Sequence, residues 1–328
     1  MSGPLYRVGD LAPAPLPRRS EAEVVAQWQG DKPVVSIKCT TYQHVGFVED
    51  ALRGFLGQNT EFPFEILIRD DASTDGTAEI VRDYANRYPS IIRAVLESEN
   101  RWPDVNPDMV LAPMVRGEFI ALCEGDDYWI DPMKLSRQVA QLRNLPSAVA
   151  SHHQSIVVEN SRIISLERLA AHECVNHDMA SLRRGGRILT NTLLFRNVPL
   201  PLNPYRGKYP SGIKFLRVAL GFVGNAVFLK DIGPSVYRRH PGGISSGAQE
   251  TAAALDVAST HYLLAEFLAG HGDSPAAAVH AKKAMKSLSR GISLMGLSSE
   301  HIGRYAISSA TNPLLSRLTT RALRLLRG

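Results

Sequence analysis

The sequence predicts an α/β fold, a mostly parallel sheet with helices on both faces, followed by an α-helical C-terminal extension. Three observations point there. Apolar runs of strand length alternate with segments of helical period between residues 34 and 123. The first two and the fourth of these runs, around Val34–Cys39, Phe64–Ile68 and Phe119–Cys123, end in polar clusters. The fourth carries no polar interruption, as in a strand buried on both faces. In sheets of this kind ligands bind outside the carboxyl ends of the strands, so the three clusters define one expected site edge.

In chain order, residues 1–32 hold a Pro-rich piece with Pro13, Pro15 and Pro17, then a short helical stretch at 21–29; they read as a loosely attached arm. Folding proper begins with the strand at Val34–Cys39. Val45, Val48, Leu52, Phe55 and Leu56 then recur at helical spacing. Phe64–Ile68 is the second strand. It runs into Asp70-Asp71-Ala72-Ser73-Thr74-Asp75-Gly76-Thr77, where Ser73, Thr74 and Asp75 suit the cap of a helix carrying Ile80, Val81, Tyr84 and Tyr88. Ile91–Leu96 is a third strand, Met109–Arg116 a short helix, and 118–123 the fourth strand. Asp131 and Pro132 read as the N-cap and first position of the next helix. After Gly247 the composition turns Ala- and Leu-rich, with helices expected at 249–269, 275–289 and 313–327 and a hairpin turn at Gly270–Pro275. The expected organisation is an arm (1–32), a catalytic-type α/β domain (33–247) and a helical extension (248–328).

The totals set bounds. The chain has 328 residues, 44% of them hydrophobic and 21% charged, ordinary for a soluble globular protein with one large or two modest domains. A net charge of +5, much of it in the last quarter, is too mild to indicate nucleic acid. Cys39, Cys123 and Cys174 lack metal-ligand spacing, and two of them fall in expected buried strands, which fits a reduced cytoplasmic setting. No signal peptide opens the sequence, and no apolar run approaches the ~18 residues a spanning helix needs.

The chemistry concentrates in Glu124-Gly125-Asp126-Asp127. Three carboxylates at the end of a buried strand repel one another unless a cation sits among them, and Mg²⁺ or Mn²⁺ shares oxygen ligands readily with substrate phosphates. Tyr42 supplies a ring that could stack on a base. Capping accounts for Ser73 to Asp75 but leaves Asp70 and Asp71 unexplained. Neither GxGxxG nor GxxxxGK[ST] occurs where phosphates would need it, so a metal-held nucleoside diphosphate fits better than a dinucleotide or P-loop site.

These residues carry a resemblance. SIKCTTYQHVGFVEDALRGFL, FEILIRDDASTDGT, GEFIALCEGDDYW and the closing YRRHPGG (Tyr237–Gly243) are together similar to the nucleotide-sugar domain of family 2 glycosyltransferases, the GT-A fold, over roughly residues 34–246. The resemblance implies transfer of a sugar from a nucleoside diphosphate sugar to a saccharide or lipid-linked acceptor, in bacterial polysaccharide or glycoconjugate synthesis, with inversion. It implies that Glu124 and Asp126 occupy the DxD-type motif, with Asp126 facing the metal and diphosphate. Asp70 or Asp71 would accept a hydrogen bond from the base, flanked by Thr41 and Tyr42. Arg238 would lie near the diphosphate, and His240 could be a further metal ligand. Cation and basic side chains would stabilise charge on the leaving group.

One departure stands out. Inverting members of the family use a carboxylate base in a Gly-Asp pair that opens a helix before YRxH, and here Ile213 falls at that position. An Ile cannot take a proton. The substitutes are Asp127, Glu173 or Asp178; the alternatives are a catalytically impaired nucleotide-sugar binder or a scaffold recruiting partners through its helical tail. At the C-terminus Leu314, Leu315, Leu318, Leu325 and Leu326 fall mostly on one helical face and Arg317, Arg321 and Arg324 on the other. Such a tail, 313–328, either lies on the inner face of an anionic membrane or packs as an ordinary surface helix.

Overall fold

The computed structural model describes residues 6–101, 110–166, 175–201, 212–243 and 250–294. The four expected strands form as β1 (Val35–Thr41), β2 (Phe64–Asp70), β3 (Ile92–Leu96) and β4 (Phe119–Leu122). β1 is flanked by β2 and β4, with β3 outside β2, all parallel. β2 is buried along its whole length. Even Glu65 at its second position is fully buried, accepting from Ser36 Oγ at 2.6 Å and from the Arg116 side chain at 2.8 Å. Burial pushes that carboxyl up, but these bonds outweigh it and hold it below the usual range.

The helices cover the sheet as the apolar spacing requires. In α2 (Val48–Leu56) the residues Val48, Ala51, Leu52, Phe55 and Leu56 are buried, and in α3 (Thr77–Arg87) Val81 and Tyr84 join the same core. After β4 a two-residue strand, β5 (Tyr128–Trp129), crosses over α2. It does so where Gly54 leaves room, since a Cβ there would stand 2.9 Å from the Trp129 backbone. The following helix, α4 (Lys134–Asn144), starts two residues later than the expected Asp131 cap. Asp131 instead accepts the Met133 N–H at 2.8 Å and the Gly233 N–H at 2.7 Å, and the Gln58 side chain accepts from Leu135 N. Within the expected helix 109–116 the chain closes as a 3₁₀ turn at Ala112–Met114.

The second half adds strands that the apolar pattern does not reveal. β6 (Ala148–His152), β9 (Leu194–Arg196) and β10 (Asn225–Phe228) extend the sheet beyond β4, giving the order β10-β6-β9-β4-β1-β2-β3. β9 runs antiparallel to both neighbours, as a three-residue wedge. β7 (Ser155–Glu159), β8 (Arg162–Ser165), β11 (Ser235–Arg239) and β5 make a small second sheet, order β5-β11-β7-β8. β11 thereby pairs with β5 and carries the YRRH segment back beside residues 124–127.

The described part of the N-terminal segment is tied down rather than loose. Ala12 N donates to Ser161 O and Gly9 N to Ile163 O, adding the segment to the edge at β8. Tyr128 Oη donates to Pro13 O at 2.6 Å and Arg53 Nε to Leu16 O at 2.8 Å. Val24 of α1 (Glu21–Val25) is buried in the main core, and Trp28 packs edge-on against Phe64. Prolines 13, 15 and 17 lack N–H donors, so this strap binds largely through its carbonyls.

At the other end α7 (Glu250–Gly270) and α8 (Ser274–Leu294) form the expected hairpin. It docks on α6 (Gly212–Leu220), where Phe215, Val218 and Ala219 meet Leu263, Leu264, Phe267 and Leu268. Polar anchors fix the seam to α5 (Met179–Arg183). Arg183 pairs with Asp273, His280 Nε2 faces Arg183 O at 3.0 Å, and Lys283 Nζ donates to Arg184 O at 2.8 Å. A helix C-terminus leaves its carbonyls without intrahelical donors, and α8 supplies them. The expected helix 313–327, and with it any membrane contact of residues 313–328, lies outside the described residues. Among those described, no helix is long and apolar enough to cross a membrane.

Candidate active site

Three strands deliver their carboxyl ends to one edge. β1 and β2 are in register with Thr41 opposite Asp70, and Cys123 N and Gly125 N donate to Lys38 O and Thr40 O, so the acidic corner folds against the end of β1. Gly125 is needed there. A Cβ at this position would stand 2.7 Å from Thr41 Oγ1, 2.8 Å from Thr41 Cβ and 3.3 Å from His44 Nδ1. Thr41 is buried and its Oγ1 has no hydrogen-bond partner among the described residues, whereas Tyr42 is 43% exposed.

The acidic pair at the end of β2 is held from both sides. Asp70 is fully buried and accepts the Ser73 N–H at 2.9 Å and the Ser73 hydroxyl at 2.6 Å, closing a tight turn. Asp71 pairs with the buried Arg69 guanidinium at 2.5 Å and accepts from Arg101 N at 3.1 Å. Asp75 receives Thr77 N and Oγ1 on one oxygen and Val45 N on the other, stitching the β2–α3 turn to the β1–α2 loop. Burial pushes its carboxyl up, but these bonds prevail and the net shift is downward.

The acidic corner separates into distinct environments. Asp127 is 2% exposed and accepts the Arg238 N–H at 2.9 Å. Arg238 donates from Nη1 to Asp126 O at 3.1 Å, pairs with Asp50 of α2 through Nη2, and lies between the rings of Tyr128 (4.2 Å) and Phe47 (5.3 Å). The guanidinium expected at a diphosphate is thus engaged with the loop that bears Asp126. Glu124 is half-buried beside it. Cys39 and Cys123 are buried in the sheet, where burial pushes both thiols well up, so neither is a ready nucleophile.

Asp126 faces two imidazoles. His240 Nε2 lies 3.2 Å from its Oδ2, and His44 Nε2 lies 3.8 Å from the same oxygen. One donor atom from each of the three residues lies within 4.8 Å of the others. The rings of His44 and His240 meet edge-on at 5.8 Å, and Phe47 packs against His240 at 4.6 Å. Among the described residues His44 Nδ1 is buried without a hydrogen-bond partner. Burial lowers the His44 pKa more than the Asp126 carboxylate raises it, so the ring is neutral near pH 7. Two neutral-capable nitrogens and a carboxylate converging with an unpartnered buried nitrogen form a donor set that a divalent cation fits. Sequence reasoning passed over His44; its one signal is its place on the same strand-end edge, two residues beyond Tyr42.

The position expected to hold a base is apolar in its surroundings too. Ile213 opens α6 and packs with the cluster that includes Ile120, Phe195 and Leu220. Asp178 caps α5 by accepting Ser181 N at 2.6 Å. Glu173 lies outside the described residues.

Comparison with known proteins follows the same lines. Residues 36–199, half of the chain, match the family model described as Glycosyl transferase family 2. An uncharacterised protein of Mycobacterium tuberculosis (strain H37Rv) is 36% identical over 216 residues, covering 64% of this chain and 60% of the relative. The chain thus spans less than two thirds of that relative's length. Among solved structures, Staphylococcus aureus TarS 1–349 in complex with UDP-GlcNAc aligns over 87% of this chain and 89% of its own, with a TM-score of 0.50 and 18% identity. The mannosyltransferase PcManGT of Pyrobaculum calidifontis, in complex with GDP-Man and Mn²⁺, aligns over 98% and 85%, with a TM-score of 0.50 and 16% identity. At these identities the structural likenesses establish the GT-A fold.

Proposed function

The chain belongs to glycosyl transferase family 2, and from that premise we propose that it transfers a sugar from a nucleoside diphosphate sugar to a saccharide or lipid-linked acceptor, with a divalent cation bound at Asp126 and His240. The observation that carries the reading is their meeting at 3.2 Å across 114 positions of sequence, at the edge where β1, β2 and β4 end. A bound divalent cation supplies charge neutralisation for the anionic leaving group. Tyr42 stacks on the base, and Asp71, fixed by Arg69, faces its hydrogen-bonding edge while Asp70 and Thr41 shape the turn. Arg238, through Asp126 O, and Asp127, through Arg238 N, also position the Asp126 loop.

The reaction is read as a single displacement with inversion. The acceptor oxygen forms its bond to the anomeric carbon while the bond to the diphosphate oxygen breaks, and the acceptor proton passes to a carboxylate, for which Asp127 at the acidic corner is the candidate. Bacterial polysaccharide or glycoconjugate synthesis is the setting that fits the family.

Ile213 favours a second reading, a nucleotide-sugar binder without turnover, because its place at the usual base position removes the proton acceptor. The test is release of nucleoside diphosphate from a panel of UDP- and GDP-sugars with a mixed acceptor pool and Mn²⁺. Metal-dependent release that Asp126→Ala abolishes supports the transferase. Binding without release in the wild type supports the second reading.

A further inference from the structure

We propose that His44 is a third protein ligand of the divalent cation, making a two-histidine, one-carboxylate site with Asp126 and His240 that takes Mn²⁺ or Co²⁺ in preference to Mg²⁺. The proposal rests on the metal-assisted reading above and adds a ligand and an ion preference to it. Its first support is spacing. Ligand atoms about 2.1 Å from a common ion lie roughly 3.0–3.4 Å apart at octahedral or tetrahedral angles. His240 Nε2 and His44 Nε2 stand 3.2 Å and 3.8 Å from the same Asp126 oxygen. The second distance exceeds both hydrogen-bond reach and that spacing by a few tenths of an ångström, and the three donor atoms lie within 4.8 Å of one another, a gap that small side-chain shifts close around an ion.

The second support is that the His44 ring lacks another task. Among the described residues Nδ1 is buried without a hydrogen-bond partner, and Nε2 faces Asp126 beyond hydrogen-bond reach. Its backbone, by contrast, is thoroughly fixed. His44 N donates to Thr77 Oγ1 at 2.8 Å, and His44 O accepts from Phe47 N and Val48 N at 2.9 Å each. On either side Gln43 N donates to Ser73 Oγ and Val45 N to Asp75 Oδ2. A loop tied this firmly, presenting an imidazole with unsatisfied nitrogens to a carboxylate, is the preorganisation a ligand requires.

The third support is chemical. Mg²⁺ strongly prefers oxygen donors, whereas imidazole nitrogen suits the borderline transition ions. Two imidazoles to one carboxylate therefore shift preference toward Mn²⁺ and Co²⁺. Asp127 of the same corner accepts from Arg238 N, whereas the two imidazoles face Asp126.

The test is Mn²⁺ binding by full-length protein, with and without UDP, followed by electron paramagnetic resonance, with electron spin-echo modulation to count coordinated imidazole nitrogens. Wild type should bind Mn²⁺ at least about tenfold more tightly than Mg²⁺ and show two nitrogens. His44→Ala and the polar variant His44→Gln should each bind Mn²⁺ at least about tenfold more weakly, show one nitrogen, and melt within a few degrees of wild type. His240→Ala should also show one. Wild-type Mn²⁺ affinity and an unchanged nitrogen count in a folded His44 variant, with binding still lost in Asp126→Ala, would overturn the role of His44 and leave the metal-assisted reading standing. Absence of Mn²⁺ binding by wild type with and without UDP would overturn both.

Discussion

Arg238 spends its donors on the loop below it. Its guanidinium pairs with Asp50, donates to Asp126 O, and is enclosed by Tyr128 and Phe47, while its N–H goes to Asp127. Removing the side chain leaves Asp50 only the longer contact with Arg53 at 4.0 Å, so Arg238→Ala should cost about 1–2 kcal/mol of stability by denaturant titration. The double variant Arg238→Ala/Asp50→Ala should recover part of that loss; an equal or larger loss would deny the pairing its weight. Gly125→Ala tests the close approach directly. Its methyl meets Thr41 Cβ and Oγ1, neither the end of a flexible chain, so the Asp126 loop must shift. Diphosphate binding should weaken by at least about tenfold while the fold persists; wild-type binding would show that the corner tolerates displacement. Thr41, Tyr42, Asp70, Asp71, Asp126 and His240 were all legible in the sequence, because each sits in a polar cluster at a strand end or in the YRRHPGG segment. The tasks of Arg238 and Asp127 were not. They depend on β11 returning beside β5, a two-residue strand too short to leave a periodic signal. His44 escaped because one histidine in a loop has no marker until Asp126 and His240 are placed against it.

The first four strands were readable because each is an apolar run buried between helices, and β6 to β11 were not because three- to five-residue strands take their register from tertiary contacts. The N-terminal strap shows the same limit: its prolines signal extended chain, but its acceptors find donors only across the fold. The hairpin α7–α8 was legible as helices, whereas its docking depends on polar contacts remote in sequence. Those contacts include His261 and His280, whose Nδ1 atoms lie 2.9 Å apart. Burial foremost, then neighbouring cations, holds His261 down at about 3 and His280 at about 4, and burial likewise holds His152 at about 3. In the unfolded chain these rings take up protons near pH 6.5. Between there and the folded values the unfolded state binds more protons, so stability falls as pH drops from 7 toward 4. The melting temperature should decline between pH 7 and pH 5, before ordinary carboxylates titrate. A constant or rising value over that interval would show that the seam tolerates charged imidazoles.

At the scale of the whole molecule, the seven-stranded sheet presents one working edge. The small second sheet brings His240 to it, and the strap and hairpin brace the body from opposite ends of the chain. Residues 33–247 form the proposed transferase unit and 248–328 its extension, whose described part rests on α5 and α6 rather than on the edge. The net charge of +5 suits an anionic substrate. Everything functional in this account turns on whether that edge holds a nucleoside diphosphate through Asp126. The most direct measurement is calorimetric titration of UDP, GDP and related diphosphates into wild type and Asp126→Ala, each with and without Mn²⁺. Mn²⁺-dependent binding of at least one diphosphate to wild type, and its loss in a folded Asp126→Ala, is the expected result. No binding of any diphosphate by folded wild type, or equal binding by the variant, would contradict it.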